Sequence, residues 1–462
     1  MIRLFKHYVP YAVLLLAVLE FGLLVACAEA GWVLRIWQLG SRVEPIQNRM
    51  AQLLSLAGAL QLAMLAVGAY GTDALQSMRF AAARLLVAMV LGLIFLALLF
   101  FLTPGLVLWR SNSVYATGVA FLALMLFRAL FGGMIGGHAF KRRIMVLGAG
   151  RRAERIRELS KLPGASFLVV GYIGMTQDPP RITSSIHRDA IESLAEHVVN
   201  LNASEVVLAL DERRNALPLA DLLRIKTTGV HVNELSSFFE RETGRVDLDS
   251  VNPSWLIFSD GFSSGQMLSK FAKRIFDLIV SLALLILAAP LILLFAIAIK
   301  LESRGPAFYR QKRVGLYGVE FSILKLRSMR VDAEVAGQAI WAEKDDPRIT
   351  RVGRIIRKAR VDELPQVWTV LTGDMSFVGP RPERQQFVTD LESKLPFYAE
   401  RHMMKPGITG WAQINYPYGA SLDDARHKLE YDLYYAKNYT PFLDLLILLQ
   451  TVRVLLWNDG AR

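Results

Sequence analysis

The chain has 462 residues, 53% hydrophobic and 20% charged, with Lys+Arg 53 against Asp+Glu 41 and a formal charge of +12. So much apolar content excludes a disordered chain. Gly 33 and Pro 18 exclude collagen-like or low-complexity sequence, and one cysteine, Cys27, excludes an intramolecular disulfide or a CxxC metal site. A basic excess on so apolar a chain points to anionic lipid headgroups and phosphorylated substrates, not nucleic acid, for which no module is present.

Four apolar runs open the chain: Val9–Ala28, interrupted by Glu20, then Ala51–Thr72, Leu85–Trp109, and Ser113–Phe127, which continues weakly past Arg128. Each supplies most of the ~20 apolar residues of a spanning helix. The first is expected to span, not to be a cleaved signal peptide, because further spanning runs follow. With the N-terminus inside, Arg3, Lys6, Arg79, Arg84, Lys141, Arg142 and Arg143 are inner, against outer Arg35, Arg42, Arg49 and Arg110. That bias places everything after Lys141 on the cytoplasmic side.

Residues 141–265 alternate short strands and helices, the pattern of a parallel sheet: strands at 144–147, 167–173, 206–210 and 230–233, helices at 153–160, 190–199 and 219–227. The first strand runs into Gly148-Ala149-Gly150-Arg151-Arg152-Ala153, a G-x-G-x-x-A turn opening a helix. In a dinucleotide fold, Gly148 and Gly150 let backbone N–H groups meet a pyrophosphate. The second strand lacks the expected acidic end, and Asp178 comes late. The reading favoured over a working nucleotide site is therefore a Rossmann-like spacer or dimerisation domain.

Lys270, Lys273 and Arg274 lead into Leu278–Ile299, an uncharged run of 22 residues with Pro290 at its middle and Lys300 and Arg304 beyond. Basic charge on both flanks favours the cytoplasm at both ends, and an interior proline kinks a helix. A re-entrant helix, bent at Pro290, satisfies both.

The following surface is basic: Lys300, Arg304, Arg310, Lys312, Arg313, Lys325, Arg327 and Arg330 face only Glu302 and Glu320. These charges suit anionic lipid, substrate phosphates, or both. A second cluster, Arg348, Arg351, Arg354, Arg357, Lys358 and Arg360, precedes Asp362-Glu363-Leu364-Pro365-Gln366. Pro365 suits the first turn of a helix, which puts both carboxylates near a helix N-terminus. Three readings stand open for them: a solvated helix start, a Mg²⁺ site completed by phosphate oxygens, or a nucleophile beside a metal ligand. Arg381, between Pro380 and Pro382, has a restricted backbone that suits a bidentate grip on phosphate.

Seven blocks of residues 270–462 occur together in one order: Lys273-Arg274-Ile275-Phe276-Asp277, Tyr309 to Gly315, Lys325-Leu326-Arg327-Ser328-Met329, Asp346-Pro347-Arg348-Ile349-Thr350, Asp362 to Gln366, Gly373 to Pro382, and Pro406 to Gln413. In these the chain resembles the bacterial sugar transferases, the polyprenyl-phosphate phosphoglycosyl transferases with one re-entrant membrane helix. Its N-terminal half resembles the extended form of that family, and Met1–Pro10 resembles the branch linked to exosortase-associated exopolysaccharide systems. One departure is Ala289-Pro290, where small members usually have Ser-Pro.

The resemblance implies a membrane protein with a four-helix transmembrane bundle (1–140), an α/β Rossmann-like domain (141–265) and an α-rich catalytic module (266–462) whose re-entrant helix covers about 275–300. It implies transfer of a sugar-1-phosphate from a UDP-sugar to undecaprenyl phosphate, releasing UMP, in the bacterial inner membrane. Asp362 would be the nucleophile and Glu363 the Mg²⁺ ligand. Arg357 and Arg381 would bind phosphate or orient the pair, and Arg310, Arg313 and Lys325 would bind substrate phosphate. Membrane lipids are expected partners, and the N-terminal half offers a surface for a homodimer. His402 and His427 are left out as bases, since the acceptor phosphate is already ionised. The final helix, 442–457, is expected at the core or the interface.

Two rivals remain at this point. A membrane-anchored nucleotide-sugar dehydratase or epimerase needs a Tyr-x-x-x-Lys pair, which residues 151–265 lack. A non-catalytic polysaccharide-assembly scaffold would not need Asp362, Glu363 and Arg381 intact.

Overall fold

The computed structural model describes residues 2–4, 7–40, 46–71, 74–75, 77–135, 141–162, 164–175, 180–211, 217–251, 267–330, 347–417, 419 and 421–457. They form two compact units, Met1–Ser250 and Val251–Arg462. The expected boundary at 265 and Asp178 lie outside the described residues.

In the first unit, β1 (Ile2–Leu4) and β2 (His7–Val9) pair antiparallel ahead of four helices: α1 (Tyr11–Leu39), α2 (Met50–Ala66), α3 (Met78–Leu102) and α4 (Arg110–Ile135). Three of them hold windows long and apolar enough to cross a membrane, Tyr11–Leu39, Met78–Leu102 and Arg110–Phe131, while α2 is a shorter apolar helix. α2 stops before its apolar run does, in a turn where Gly68 takes φ +72°. α3 starts seven residues before the expected Leu85. Of its two arginines, Arg84 is buried and its guanidinium donates to the Gly68 carbonyl at 2.7 Å. The charges that interrupt the first and fourth apolar runs meet: Arg128 Nε donates to Glu20 Oε1 at 2.6 Å and Nη2 to Oε2 at 3.0 Å, with both side chains buried.

Chain alternation then builds a five-stranded parallel sheet. Its elements are β3 (Arg142–Leu147), α5 (Arg151–Lys161), β4 (Phe167–Gly174), β5 (Ile186–His187), α6 (Leu194–Asn200), β6 (Glu205–Leu208), α7 (Leu219–Thr227), β7 (His231–Glu234) and α8 (Leu235–Thr243). The strand order is β5-β4-β3-β6-β7. Side chains of β3 alternate between two cores, as a strand buried on both faces must. Ile144 and Val146 pack with Phe167 and Phe238, while Met145 and Leu147 pack with Leu194 and Ile225.

The second unit begins with α9 (Met267–Glu302), a helix of 36 residues that is continuous through Pro290. Its segment Lys270–Glu302 is also long and apolar enough to cross a membrane. Two of the cations that lead into its apolar run are held by the rest of the unit. Lys273 donates to Asp444 Oδ2 at 2.5 Å and to the Val378 carbonyl at 3.0 Å, and Arg274 donates to the Val370 and Leu371 carbonyls, both at 2.8 Å. The last carbonyls of a helix lack internal partners, and Arg274 supplies them.

β8 (Phe308–Val314) and β9 (Glu320–Leu326) form an antiparallel hairpin. After it come α10 (Arg351–Lys358), α11 (Gln366–Thr372), β10 (Ser376–Val378), α12 (Gln385–Lys394), β11 (Gly407–Thr409), α13 (Trp411–Asn415), α14 (Leu422–Asn438) and α15 (Pro441–Trp457). Blocks distant in sequence converge. β10 pairs parallel with β11, and buried Asp277 of α9 accepts from Ser376 Oγ at 3.1 Å and the Phe377 N–H at 3.2 Å. Of the second basic cluster, Arg351, Arg354, Arg357 and Lys358 lie on α10, and Arg348 lies in the preceding turn. The two carboxylate oxygens of Glu302 accept from the N–H groups of Arg351 and Val352 at 2.7 and 3.1 Å and offset the cations there.

Candidate active site

Asp362 and Glu363 lie just ahead of α11, near a helix N-terminus as expected. They occupy a separate 3₁₀ turn, Val361–Glu363, and α11 begins after Pro365. Arg360, immediately before the turn, takes the left-handed conformation at φ +57°, which a residue with a Cβ adopts at a cost of about 1–2 kcal/mol. That break turns the chain away from α10 and aims the two carboxylates differently.

Glu363 Oε1 accepts from Lys325 Nζ at 3.2 Å and from Arg381 Nη2 at 3.1 Å. Asp362 Oδ1 is buried and has no hydrogen-bond partner among the described residues. The electrostatics follow this asymmetry. Burial raises Asp362 above the ordinary aspartate range, and the charge of Glu363 adds to the rise; Lys325, Arg357 and Arg360 oppose it. Burial acts on Glu363 too, but Arg381, Lys325 and Arg360 outweigh it and hold that carboxyl well below the usual range. Burial lowers Lys325, and Glu363 only partly restores it. The turn is thus a constant anion next to a carboxylate with an open oxygen.

The hairpin presents its cations on two faces. Register pairs Tyr309 with Lys325, Gln311 with Ile323 and Arg313 with Phe321, and these share one face; Arg310, opposite Leu324, is on the other. Arg313, Lys325 and Arg381 line one cleft with Ile323, Gln366, Pro382, Gly407 and Ile408. Arg313 is itself fixed: its Nη2 and Nε donate to Gln311 Oε1 at 2.7 and 3.2 Å, and Nη1 to the Pro382 carbonyl at 3.1 Å. Of the residues expected at the phosphate site, the fold therefore gathers Arg313, Lys325 and Arg381. Arg357 acts on Asp362 through its charge, and Arg310 lies on the opposite face of the hairpin.

Sequence reasoning missed three contributors. Gln366 lines the cleft, and the only signal for it was its place beside the carboxylates. Arg360 was counted in a cluster but not singled out for its backbone. Arg401 is buried, donates from Nε and Nη2 to Asp432 Oδ2 at 3.0 and 2.7 Å, and donates from Nη2 to the Arg381 carbonyl at 3.0 Å. No local pattern reveals that Arg401 steadies the loop carrying Arg381. His402 is pushed down to about 4 by burial and by Arg401, so it is neutral at pH 7.

Among the described residues no group of three or more His, Cys, Asp or Glu side chains could hold a metal by itself. The adjacent carboxylates, one with a free buried oxygen, still fit a divalent cation of the kind held by one or two carboxylates and completed by phosphate oxygens.

The glycine turn of the first unit is arranged differently. The N–H groups of Arg151 and Arg152, at the start of α5, donate to the two oxygens of Asp211 at 2.8 and 3.0 Å.

Residues 268–458 match the bacterial sugar transferase family, and the chain belongs to it. Over 241 residues it is 43% identical to a UDP-N-acetylgalactosamine-undecaprenyl-phosphate N-acetylgalactosaminephosphotransferase of Aeromonas hydrophila, covering 52% of this chain and 56% of that one. It is 45% identical to a UDP-glucose:undecaprenyl-phosphate glucose-1-phosphate transferase of Caulobacter vibrioides over 41% of this chain and 71% of that one. A Xanthomonas campestris transferase of the same name is 33% identical over 68% of this chain and 66% of the relative. The matched part thus spans a little over half the length of the first relative and about two thirds of the others. The apolar helices and this family together make the chain a membrane protein with a parallel-sheet α/β region.

Proposed function

We propose that the chain transfers a sugar-1-phosphate from a UDP-sugar to undecaprenyl phosphate, giving undecaprenyl-diphospho-sugar and UMP. The observation that carries this is the turn 361–363, where Asp362 keeps a buried, unpartnered oxygen beside a carboxylate neutralised by Lys325 and Arg381. Relatives named for this transfer support it. Neither rival gains support from them.

Both substrates are anionic, so direct attack of one phosphate on the other is repelled, and a covalent intermediate divides the barrier. An Asp362 oxygen attacks the β-phosphorus. The bond from that phosphorus to the oxygen shared with the α-phosphate breaks, and UMP leaves with that oxygen. An oxygen of the lipid phosphate then attacks the same phosphorus and displaces the Asp362 carboxylate. Arg381, Lys325 and Arg313 bind the phosphate oxygens, and the charge of Arg357 favours the ionised form of Asp362 against burial. Glu363 orients Lys325 and Arg381 and would hold Mg²⁺, which when bound would offset the charge of the diphosphate.

The same proposal puts the protein in the bacterial inner membrane, with the module on the cytoplasmic side, bound to membrane lipids and open to homodimerisation through its N-terminal half. The parallel sheet is read as Rossmann-like, and α9 as a re-entrant helix bent at Pro290. Support for the last comes from basic residues on both flanks, Lys270 before it and Lys300 and Arg304 after it. Single cysteines at 270 and 304 should both be shielded from an impermeant reagent in intact cells; labelling at 304 alone would mean a full span. For the activity itself, purified protein with undecaprenyl phosphate and a panel of UDP-sugars should release UMP with at least one sugar. No UMP from any of them sinks the reading.

A further inference from the structure

The glycine turn after β3 has the outline of a dinucleotide site, yet contacts inside the chain account for both glycines. At Gly148 the backbone takes φ +135°, and a Cβ there would sit 2.2 Å from the Ala209 carbonyl oxygen. Gly148 is therefore required by the close approach of the chain beyond β6. At Gly150 a Cβ would sit 1.9 Å from Asp211 Oδ2. Gly150 is therefore required by a carboxylate, one that belongs to the protein.

Asp211 stands where a phosphate of a dinucleotide would be held. An anion is favoured at a helix N-terminus because the first N–H groups have no partner in the helix and carry the positive end of its dipole. Here the N–H groups of Arg151 and Arg152 each meet one oxygen of Asp211. Other groups of the turn are also bound within the chain. Arg152 Nη1 donates to the Leu210 carbonyl at 2.8 Å, and the Gly148 N–H donates to the Ile173 carbonyl at 2.7 Å. The Ala149 carbonyl accepts from the N–H groups of Arg181 and Ile182 at 2.9 and 3.3 Å.

We propose that this turn is an anion site whose occupant is the chain's own Asp211, a cis carboxylate that ties the end of β6 to the start of α5 and keeps phosphates out. The inference stands apart from the transferase reading. It has a regulatory consequence: a nucleotide that modulates the protein must do so elsewhere than at this turn.

Hydrogen exchange of the peptide covering 150–157, measured on the full chain in detergent, tests this. In the wild type, exchange should be slow and unchanged by millimolar inorganic pyrophosphate. In Asp211→Ala it should be faster by about tenfold or more, the scale of a charge-assisted hydrogen bond lost at a helix N-terminus, and pyrophosphate should slow it again. Pyrophosphate protection in the wild type, or an unchanged rate in Asp211→Ala, overturns the proposal. If Asp211→Ala loosens β3 and β4 as well, Asp211→Asn decides. It keeps the shape and loses the charge, so its peptide should exchange at a rate between the two, and a wild-type rate refutes the assignment.

Discussion

Charges are buried in the helical bundle and again at the turn 361–363, but they are balanced differently. In the bundle the fork of Arg128 is filled: two nitrogens meet Glu20, and Nη1 donates to the Ala69 carbonyl at 2.9 Å. Every nitrogen of the guanidinium meets an acceptor of the protein itself. At the turn, Asp362 and Glu363 face Lys325, Arg381, Arg357 and Arg360, and still Asp362 Oδ1 has no partner among the described residues. A closed pair holds helices together, whereas an open carboxylate in a surplus of cations is arranged for an anion yet to arrive. Asp211 in the glycine turn falls on the bundle's side of this division, because its two oxygens are used by the protein itself.

The largest expected effect tests the open side. Asp362→Asn keeps the side-chain shape and removes the nucleophile, so turnover should fall by several orders of magnitude. Protein incubated with radiolabelled UDP-sugar and no acceptor lipid should carry label in the wild type and none in the variant. Normal labelling of Asp362→Asn would move the nucleophile elsewhere and favour direct attack by the lipid phosphate.

The closed side should respond in stability and not in chemistry. Glu20→Gln leaves Arg128 buried without its counter-ion, a loss of about 3–5 kcal/mol for a buried pair. Thermal unfolding in detergent should shift down strongly, while UMP release per folded molecule stays near that of the wild type. Adding Arg128→Met should recover part of the stability, since removing both charges costs less than stranding one. A variant as stable as the wild type but inactive would place the pair in the function.

The same contrast explains what the sequence disclosed. Apolar runs and β-α alternation are local patterns, so the order and type of the helices and parallel strands were readable, although α1 runs on to Leu39 and α3 begins at Met78. Glu20 and Arg128 looked like interruptions because their pairing joins positions 108 residues apart. The dyad and Arg381 were readable because they sit in short, chemically marked blocks. The face occupied by Arg310 was not, since it depends on the hairpin register. Nor was the role of Lys273, which finds Asp444 across 171 residues. The glycine turn reads in the sequence as part of a spacer and not as a working nucleotide site, but its glycines mark a close approach, and only the fold reveals that the approaching group is Asp211.

The smallest effect is expected at Arg360, where backbone and charge can be separated. Its left-handed φ suits glycine, so Arg360→Gly relieves strain, while the greater freedom of glycine in the unfolded chain offsets the gain. Stability should change by no more than about 1 kcal/mol. The charge effect has a definite sign. Arg360 is one of the cations that lower Asp362 against burial, so its loss lets that carboxyl rise further. A nucleophilic carboxylate works only when deprotonated, and activity therefore falls as pH drops through its pKa. The acid limb of kcat/KM should already lie above the ordinary aspartate range in the wild type and move to higher pH in Arg360→Gly. Arg360→Asn, which also tolerates the left-handed region, should move it in the same direction. If the limb stays in place in both variants while they fold and bind normally, the group that titrates is not Asp362, and the open carboxylate of the turn loses its role as nucleophile.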